Sequence, residues 1–449
     1  MKKILIANRG EIARRIIRTC ERLGIETVAI HSEADGDLPY VSEATQAVLI
    51  GPNPVVQSYL KIEKIIEEAK KHEVDAIHPG YGLLSENADF ARKVAEAGMV
   101  FIGPSSEIIE KMGDKIESRR TMIQAGVPVV PGTEEGVATL EEAMQEAEAI
   151  GYPLMLKASA GGGGIGMVRC ESEQALTQQF ASVKNRAKAY FGDDVVYLEK
   201  FIADARHIEV QIFGDHYGNL VHLYERNCSV QRRNQKVIEE SPSPNLPQDV
   251  RERLCEAALQ AGRAVAYTNA GTVEFIVDSN NDFYFLEMNT RLQVEHPVTE
   301  EVTGLDLVEW QLSVAAGEAL PSQDSIVTKG HAIEYRVYAE DPKTFFPSPG
   351  KLEKLQWGEG ARIETGYEEG NLVTPFYDPM ISKIIIHGSD RIDALSKSQT
   401  FFNRVAIEGV KTNISLFKEF IRSEEFISGD YATAVLPQWM EKTKEEHKL

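Results

Sequence analysis

Apolar and polar positions alternate in blocks over the first hundred residues, which is typical of a repeating strand and helix unit. Apolar runs predict strands at 4–7, 27–30, 76–77 and 100–102, and amphipathic stretches predict helices at 11–23, 62–72 and 88–97. Because helices separate the strands, the pattern indicates a doubly wound parallel sheet with ligands at the carboxyl ends of its strands. Residues 8–10 and 78–82 occupy two such ends, and the first lacks the further glycines of a dinucleotide-binding loop.

The pattern changes after this region. Prolines punctuate residues 127–132, which is typical of a linker. Beyond them, the pattern predicts a helix at 140–150, strands at 154–157 and 195–198, and hairpins at 207–213 with 220–225 and at 272–278 with 282–288. We therefore expect a doubly wound domain over 1–112, a linker over 113–130, an α/β unit over 131–203, a strand-rich core over 204–330 and an α+β domain over 331–449.

Composition restricts the partners of the chain. Its 449 residues include 48 basic and 69 acidic side chains, a formal charge of −21, which argues against nucleic acid or an anionic membrane as partner. None of the four cysteines lies in a C-x-x-C pair, so we expect reduced thiols and a cytoplasmic protein. The sequence shows no signal-peptide pattern and no apolar run near the ~20 residues of a membrane-spanning helix.

A dense polar segment, residues 287–296, follows the apolar strand pattern at 283–286. Polar groups at the end of a buried strand need a ligand, a metal or a partner to offset their desolvation. Glu274 and Glu287 lie on the two strands of a predicted hairpin, and Asn289 shares a face with Glu287 because it is two residues further on. Such oxygens suit Mg²⁺ beside nucleotide phosphates, so we predict a magnesium site in preference to a plain pair of edge acids.

Lys157 and the glycine-rich run after it predict a phosphate-binding lid. Backbone N–H groups of glycines approach phosphate oxygens closely, and the lysine adds a positive charge. The lysine precedes the glycines, unlike the order in a Walker loop, and a flexible hairpin tip is the alternative. The glycines that we expect to touch phosphate are Gly161, Gly162, Gly163 and Gly164.

Two further segments point to nucleotide or anion binding. Residues 199–202 end a strand and could form an adenine slot, although a strand running into a loop explains them equally well. Residues 231–236 form a basic patch in an acidic chain, which favours a phosphate or bicarbonate site. The alternative for this patch is a surface turn whose cations pair with Glu239 and Glu240.

The residues alone do not place Glu295 and Arg336. A lone glutamate is most often a solvated surface residue, and Arg336 could simply pair with Glu334 or Glu340 on its own strand. The histidines are not spaced for zinc, and we expect structural roles for His78, His207, His296 and His331.

Together these segments resemble the ATP-grasp superfamily, and specifically its biotin carboxylases, over essentially the whole chain. The motifs that carry the resemblance lie at 6–12, 78–87, 112–115, 157–166, 231–233, 287–297, 336, 341–342 and 346–350. The resemblance implies a doubly wound N-terminal domain, central ATP-grasp domains with a mobile glycine-rich lid at 131–203, and a C-terminal α+β domain. It also implies ATP- and bicarbonate-dependent carboxylation of biotin through carboxyphosphate.

The resemblance implies a role for each site residue as well. The expected ATP contacts are Lys115, Lys157, the four glycines, Glu199, Lys200, Ile202, His207, Gln231 and Asn234. Two Mg²⁺ or Mn²⁺ ions are expected on Glu274, Glu287 and Asn289. The expected bicarbonate pocket comprises Lys236, Arg291, Gln293, Val294 and Glu295. Glu295 matches the base that deprotonates bicarbonate and Arg336 the group that binds biotin, and with Lys236 and Arg291 they form the expected catalytic set.

Two positions depart from the common pattern of the family. Ile165 stands where many members have Arg or Lys, and Asn234 stands where many have His. Neither side chain carries a charge that could contact phosphate, so we expect a raised KM for ATP.

Other functions remain open from the sequence: another ligase of the same superfamily, or a non-catalytic nucleotide-binding subunit. No Ala-Met-Lys-Met biotin attachment site is present, so biotin is expected to arrive on a carrier protein. The best match is a homodimeric biotin carboxylase subunit of acetyl-CoA carboxylase in fatty acid synthesis, acting with a carrier protein and a carboxyltransferase. The same part of a pyruvate carboxylase or another acyl-CoA carboxylase is the alternative.

Overall fold

A computed structural model describes residues 1–159 and 166–446, and its N-terminal part is the doubly wound sheet that the sequence predicts. Its elements are β1 (Lys3–Ile6), α1 (Gly10–Arg22), β2 (Glu26–Ser32), α2 (Pro39–Glu43), β3 (Gln46–Gly51), α3 (Ile62–Lys71), β4 (Ala76–His78), α4 (Ala88–Glu96) and β5 (Val100–Phe101). The strands are parallel, in the order β3-β2-β1-β4-β5. The sequence pattern missed the edge strand β3, because Ile50 is its only buried residue.

The segment predicted as a linker contains a helix. The chain after the parallel sheet forms α5 (Ser106–Gly113) and α6 (Lys115–Gln124). Asp114 caps α6, because its carboxylate accepts hydrogen bonds from the backbone N–H groups of Ile116 and Glu117, both at 2.9 Å. This part of the predicted linker is therefore regular structure, and the domain limits themselves stay a prediction.

A small unit follows that contains the predicted helix and two strands, together with a third strand and a second helix that the sequence pattern missed. Its elements are α7 (Leu140–Ile150), β6 (Leu154–Ala158), β7 (Met167–Cys170), α8 (Glu173–Phe191) and β8 (Val196–Lys200). The antiparallel sheet β7-β6-β8 buries Leu154, Leu156 and Leu198 completely against the two helices. The predicted phosphate-binding glycines Gly161–Gly164, and Ile165, lie outside the described residues.

The strand-rich core contains both predicted hairpins. Its elements are β9 (Arg206–Gly214), β10 (Leu220–Arg232), β11 (Gln235–Ser241), α9 (Gln248–Ala264), β12 (Asn269–Val277), β13 (Phe283–Asn289), α10 (His296–Thr303) and α11 (Leu307–Ala315). Ile208, Val210 and Ile212 of β9 pack in the apolar cluster beneath α9. Because side chains alternate along a strand, His207 and Glu209 face the other side of the sheet.

The central sheet continues across the predicted domain limit at residue 330. The remaining elements are β14 (His331–Tyr338), β15 (Gly350–Lys351), β16 (Lys354–Gln356), β17 (Arg362–Thr365), β18 (Leu372–Val373), β19 (Met380–Gly388), α12 (Arg391–Arg404), β20 (Ala406–Glu408), α13 (Ile414–Phe420), α14 (Glu424–Ser428) and α15 (Val435–Glu446). Strand β14 pairs with β11 and β19, giving eight strands in the order β13-β12-β9-β10-β11-β14-β19-β17. Residues far apart in sequence therefore share one surface. In the described part of the chain, no helix has the length and apolar character needed to cross a membrane.

Candidate active site

A cavity of 1120 Å³ lies between the parallel sheet, the three-stranded unit and the central sheet. It is lined by every predicted site residue that the structure describes: Lys115, Lys157, Glu199, Lys200, Ile202, His207, Gln231, Asn234, Lys236, Glu274, Glu287, Asn289, Arg291, Gln293, Val294, Glu295 and Arg336. Residues 8–12 and 81–83 line the same cavity. The polar carboxyl ends of the parallel strands and the polar end of β13 thus meet at one place.

Three glutamates stand side by side on the cavity side of the sheet. Glu287 on β13, Glu274 on β12 and Glu209 on β9 are direct partners in the strand register. Like charges directly opposite one another destabilise a sheet, so this row of acids requires cations. Lys115 donates a hydrogen bond to Glu287, and Lys236 donates to both Glu274 and Glu209.

Neighbouring cationic side chains keep the two glutamates among the predicted metal ligands ionised. The ammonium of Lys115 outweighs burial and holds the pKa of Glu287 below its usual range. Burial opposes ionisation of Glu274, but Lys236 and His207 outweigh it and hold the pKa of Glu274 well below its usual range. The Nε2 atom of His207 lies 2.9 Å from a carboxylate oxygen of Glu274.

The donor set fits a magnesium ion, because ionised carboxylates on adjacent strands are ligands that Mg²⁺ prefers. Candidate ligand atoms of His207, Glu209 and Glu274 all lie within 4.8 Å of one another. Asn289 donates from Nδ2 to Glu274 at 2.9 Å, while its Oδ1 accepts from a neighbouring guanidinium at 3.0 Å. Glu274 belongs to this cluster, whereas Glu287 and Asn289 lie beside it on β13, and their predicted part in binding the ion stays a prediction.

Lys236 connects the row of acids to Glu295. Its ammonium lies 2.6 Å from Glu209, 2.9 Å from Glu274 and 2.7 Å from Glu295. Burial lowers the pKa of Lys236, but these three carboxylates outweigh it and raise the pKa well above its usual value. For Lys236, the alternative predicted from sequence, a surface turn paired with Glu239 and Glu240, is therefore wrong.

Glu295 is fully buried between cations. Lys236 contacts one carboxylate oxygen at 2.7 Å and Arg336 donates to the other at 3.0 Å. Burial opposes ionisation of Glu295, but Lys236, Arg336 and Arg226 outweigh it and hold its pKa well below the usual range. Glu295 is therefore ionised at neutral pH.

Arg336 lies between Glu295 and Glu239. One of its Nη atoms is 3.0 Å from Glu295 and 2.5 Å from Glu239 on the adjacent strand β11. The alternative predicted from sequence, a pair with Glu334 or Glu340, is wrong, because the pairing of β11 with β14 brings a nearer acid from another strand. Burial raises the pKa of Glu239 to about 7 despite the opposing charge of Arg336.

Residues 290–295, which follow β13, lie beside the row of acids. Gln293 donates to this row at 3.0 Å, and the Nε of Arg291 donates to Glu86 at 2.7 Å. The carbonyl of Val294 accepts a hydrogen bond from the ammonium of Lys383 at 2.8 Å. These contacts fix the backbone and the polar side chains of the segment around the space in front of Glu295.

The residues predicted to contact nucleotide are partly paired with one another. Lys157 lies 2.5 Å from one carboxylate oxygen of Glu199, and Arg119 lies 3.3 Å from the other. Lys200 donates to the backbone carbonyls of Gly151 and Tyr152, in the loop between α7 and β6, at 3.1 and 3.3 Å. The lysine from the small unit and the acid at the end of β8 thus lie together on the wall opposite the central sheet.

Asn234 lies in the turn between β10 and β11, and the backbone conformation of this turn favours asparagine. Arg233 and Asn234 both have positive φ, 50° and 65°. Two such residues in succession match the type I′ hairpin turn, in which asparagine is favoured. Just before the turn, the side chain of Gln231 lies 3.0 Å from the Nδ1 of His207.

Several charged residues of the site were not identified from the sequence: Glu86, Glu209, Arg226, Glu239 and Lys383. A signal existed for Glu209, which follows His207 by two residues and so shares its strand face. Arg226 is completely buried and lies 2.6 Å from Glu209. No local pattern marks Arg226, since its partners come from other strands.

The fold and this cavity define a class of enzyme. A small three-stranded unit carrying a lysine faces a large antiparallel sheet carrying a row of ionised acids, which is the arrangement of ATP-grasp ligases. The chain matches the family models for the biotin carboxylase N-terminal domain at residues 1–109, the carbamoyl-phosphate synthase L chain ATP binding domain at 114–323 and the biotin carboxylase C-terminal domain at 334–438.

Two known relatives and one solved structure are similar to this chain over nearly its whole length. Biotin carboxylase 2 of Bacillus subtilis (strain 168) is 57% identical over 97% of this chain and 99% of its own length. The mitochondrial methylcrotonoyl-CoA carboxylase subunit alpha of Rattus norvegicus is 51% identical over 97% of this chain and 62% of its own. The biotin carboxylase domain dimer of Hydrogenobacter thermophilus 2-oxoglutarate carboxylase, solved with MgADP, ADP and bicarbonate, has a TM-score of 0.95 and 45% identity, over 97% of both chains. The chain belongs to the biotin carboxylase family and is an ATP-dependent carboxylating ligase.

Proposed function

We propose that this chain carboxylates biotin on a carrier protein, using ATP and bicarbonate and passing through carboxyphosphate. The observation that carries the proposal is the position of Glu295. This ionised carboxylate is fully buried between Lys236 and Arg336, and it lines the same cavity as the acids Glu274 and Glu287. A proton acceptor, an anion pocket and a metal-ligating pair are thus adjacent.

The cations and amides near Glu295 suit a small planar anion. Arg291 presents a planar fork of donors that matches the geometry of carboxylate-like oxygens. Lys236 adds a compact charge, and Gln293 and the backbone of Val294 complete the wall of the proposed bicarbonate pocket. When bicarbonate binds here, it would compete with Glu295 for Lys236, which would raise the basicity of Glu295.

The proposed reaction has three steps. Glu295 takes the proton of bicarbonate, whose oxygen attacks the γ-phosphorus of ATP, and the bond to ADP breaks. Carboxyphosphate then cleaves to CO₂ and phosphate. The phosphate accepts the ureido proton of biotin, and the freed nitrogen bonds to the carbon of CO₂ while Arg336 stabilises the enolate oxygen. Lys115 and Lys157 hold phosphate oxygens in this proposal, and bound Mg²⁺ offsets the charge of the phosphates.

The partner carboxyltransferase determines which acyl acceptor receives the carboxyl group. We propose the acetyl-CoA carboxylase system, in the cytoplasm and with a homodimeric biotin carboxylase, because the Bacillus subtilis relative matches over almost its whole length. Support for the dimer is that the Hydrogenobacter thermophilus neighbour is described as a dimer. The methylcrotonoyl-CoA carboxylase relative supports the alternative, another acyl-CoA or pyruvate carboxylase.

The test is phosphate release from ATP by the purified chain, with bicarbonate and free biotin each added or left out. We expect release to require bicarbonate and to increase when biotin is present. Ammonia in place of biotin serves as the control for a carbamoyl-phosphate type ligase. Phosphate release at the same rate with and without biotin and bicarbonate would contradict the proposal. Nucleotide binding without turnover would support a non-catalytic subunit.

A further inference from the structure

Lys383 is a fully buried cation outside the predicted site. It lies on β19, directly opposite Arg336 in the strand register, with a relative exposure of 0%. Its ammonium donates to the carbonyl of Val294 at 2.8 Å and lies 3.2 Å from Glu11 in the first turn of α1. The ring of Tyr81, from the polar segment after β4, lies beneath it at 5.5 Å.

Stability alone does not account for this lysine. Taking an ammonium and a carboxylate out of water costs several kcal/mol per ion, and apolar replacements of such pairs are often neutral or stabilising. The compensation here is incomplete, since neither carboxylate oxygen of Glu11 has a hydrogen-bond partner among the described residues. Burial raises the pKa of Glu11 to about 7, although Lys383 opposes that rise. The pair is therefore costly for folding.

The contact with Val294 lies one residue from the proposed base. The Val294 carbonyl belongs to the same planar peptide as the N–H of Glu295, so fixing one fixes the direction of the other. Glu295 is also the N-cap residue, directly before α10, with φ −81° and ψ 9°. Its side chain is already held at its far end by Lys236 and Arg336. Lys383 supplies the restraint on the backbone that these two cations do not.

We propose that Lys383 is a positioning residue for the bicarbonate pocket, because its ammonium orients the Val294–Glu295 peptide and joins it to Glu11 and Tyr81 of the N-terminal sheet. This inference rests on the proposed function and deepens it at the same site. Lys383 does not itself touch the reacting atoms. Its loss should therefore weaken productive binding of bicarbonate, while the ATP wall formed by the small unit keeps its geometry.

The test compares Lys383→Met combined with Glu11→Gln against the unaltered chain. The double variant removes both buried charges, so it avoids leaving Glu11 without a cation. We expect the KM for bicarbonate to rise about tenfold or more, the scale of one hydrogen bond from a charged donor, with the KM for ATP little changed. Initial rates of phosphate release measured against bicarbonate and against ATP give both constants.

Arg391→Met is the matched control for general damage. Arg391 pairs with buried Glu240 at 2.8 and 3.1 Å, and in the described part of the chain it makes no hydrogen bond to residues 290–295. It should lower the melting temperature and leave the KM for bicarbonate unchanged. A double variant with an unchanged KM for bicarbonate, or with both KM values raised equally, would overturn the positioning role. Absence of bicarbonate-dependent turnover in the unaltered chain would instead overturn the proposed function.

Discussion

Two polar regions of this molecule lie at the ends of strands, yet their side chains are paired differently. At the carboxyl end of the parallel sheet, Asn8 donates to two backbone carbonyls at 2.7 and 2.8 Å, and Arg9 forms two hydrogen bonds to Asp35 at 2.6 and 2.7 Å. His78 accepts from a backbone N–H at 3.0 Å and contacts Gln311 at 3.2 Å. Every one of these groups is matched to a partner in the folded chain.

On the central sheet the charges are crowded and incompletely matched. Lys236 serves three carboxylates, and Arg336 lies between two. Both oxygens of Glu334 and the Nε of Arg336 are buried without a hydrogen-bond partner among the described residues. The partners of Asn8, Arg9 and His78 indicate that these three groups serve stability, whereas the central sheet keeps charge available for a ligand.

Removal of the proposed base should give the largest effect. In Glu295→Gln the buried amide retains the shape of the side chain but cannot accept a proton from bicarbonate. We expect bicarbonate-dependent phosphate release to fall about 10²–10⁴-fold, the usual contribution of a general base. Nucleotide affinity, measured by calorimetry, should stay close to that of the unaltered chain. Normal turnover by this variant would show that Glu295 is not the base.

A smaller but still large effect is expected at the row of acids. Glu287→Gln removes one of two carboxylates proposed to hold Mg²⁺ and leaves Lys115 without its ionised partner. The Mg²⁺ concentration for half-maximal rate should rise about tenfold or more. Titration of the rate with Mg²⁺ measures this, and Arg391→Met, which lies outside the row of acids and does not line the cavity, serves as the control. An unchanged Mg²⁺ requirement would remove Glu287 from the metal site.

Local patterns predicted much of this arrangement, but the pairing between distant strands could not be predicted. Hairpin turns near residues 215–218 and 279–281 correctly indicated the strands that carry His207, Glu274 and Glu287. The pairing of β11 with β14 joins residues about ninety positions apart, and no local signal specifies it. For that reason the sequence suggested the wrong partners for Arg336, assigned Glu239 only to a possible surface turn, and gave no role to Lys383.

Substitution of His78 should change stability and not catalysis. His78→Gln loses buried hydrogen bonds, and we expect the free energy of unfolding to fall by about 1–3 kcal/mol. Since His78 does not line the cavity, the kcat and both KM values should be retained. Urea unfolding and steady-state rates measure the two properties separately. A loss of kcat with full stability would contradict the division between the two regions.

The same histidine predicts a pH effect on stability. Burial lowers the pKa of His78 from 6.5 to about 3. Between these values the unfolded chain binds the additional proton, so stability falls as pH falls, by up to about 1.4 kcal/mol per pH unit for one group. His78→Gln lacks this group, and its unfolding free energy should depend less on pH between 6.5 and 3. Parallel pH profiles for the two chains would disprove the assignment.

The smallest effect is expected at the turn beside the cavity. Asn234→His restores a residue common in the family, and histidine tolerates positive φ better than most residues. We expect a modest decrease in the KM for ATP with little change in stability. An unchanged KM would mean that Asn234 serves the turn alone.

In the proposed mechanism, bicarbonate held beside Glu295 attacks the γ-phosphorus of ATP. The most direct measurement uses bicarbonate labelled with ¹⁸O and follows the label into the released phosphate by mass spectrometry. Because the attacking oxygen stays on phosphorus when carboxyphosphate breaks down, the account predicts one ¹⁸O atom per phosphate released. Phosphate that carries oxygen from water and none from bicarbonate would contradict it.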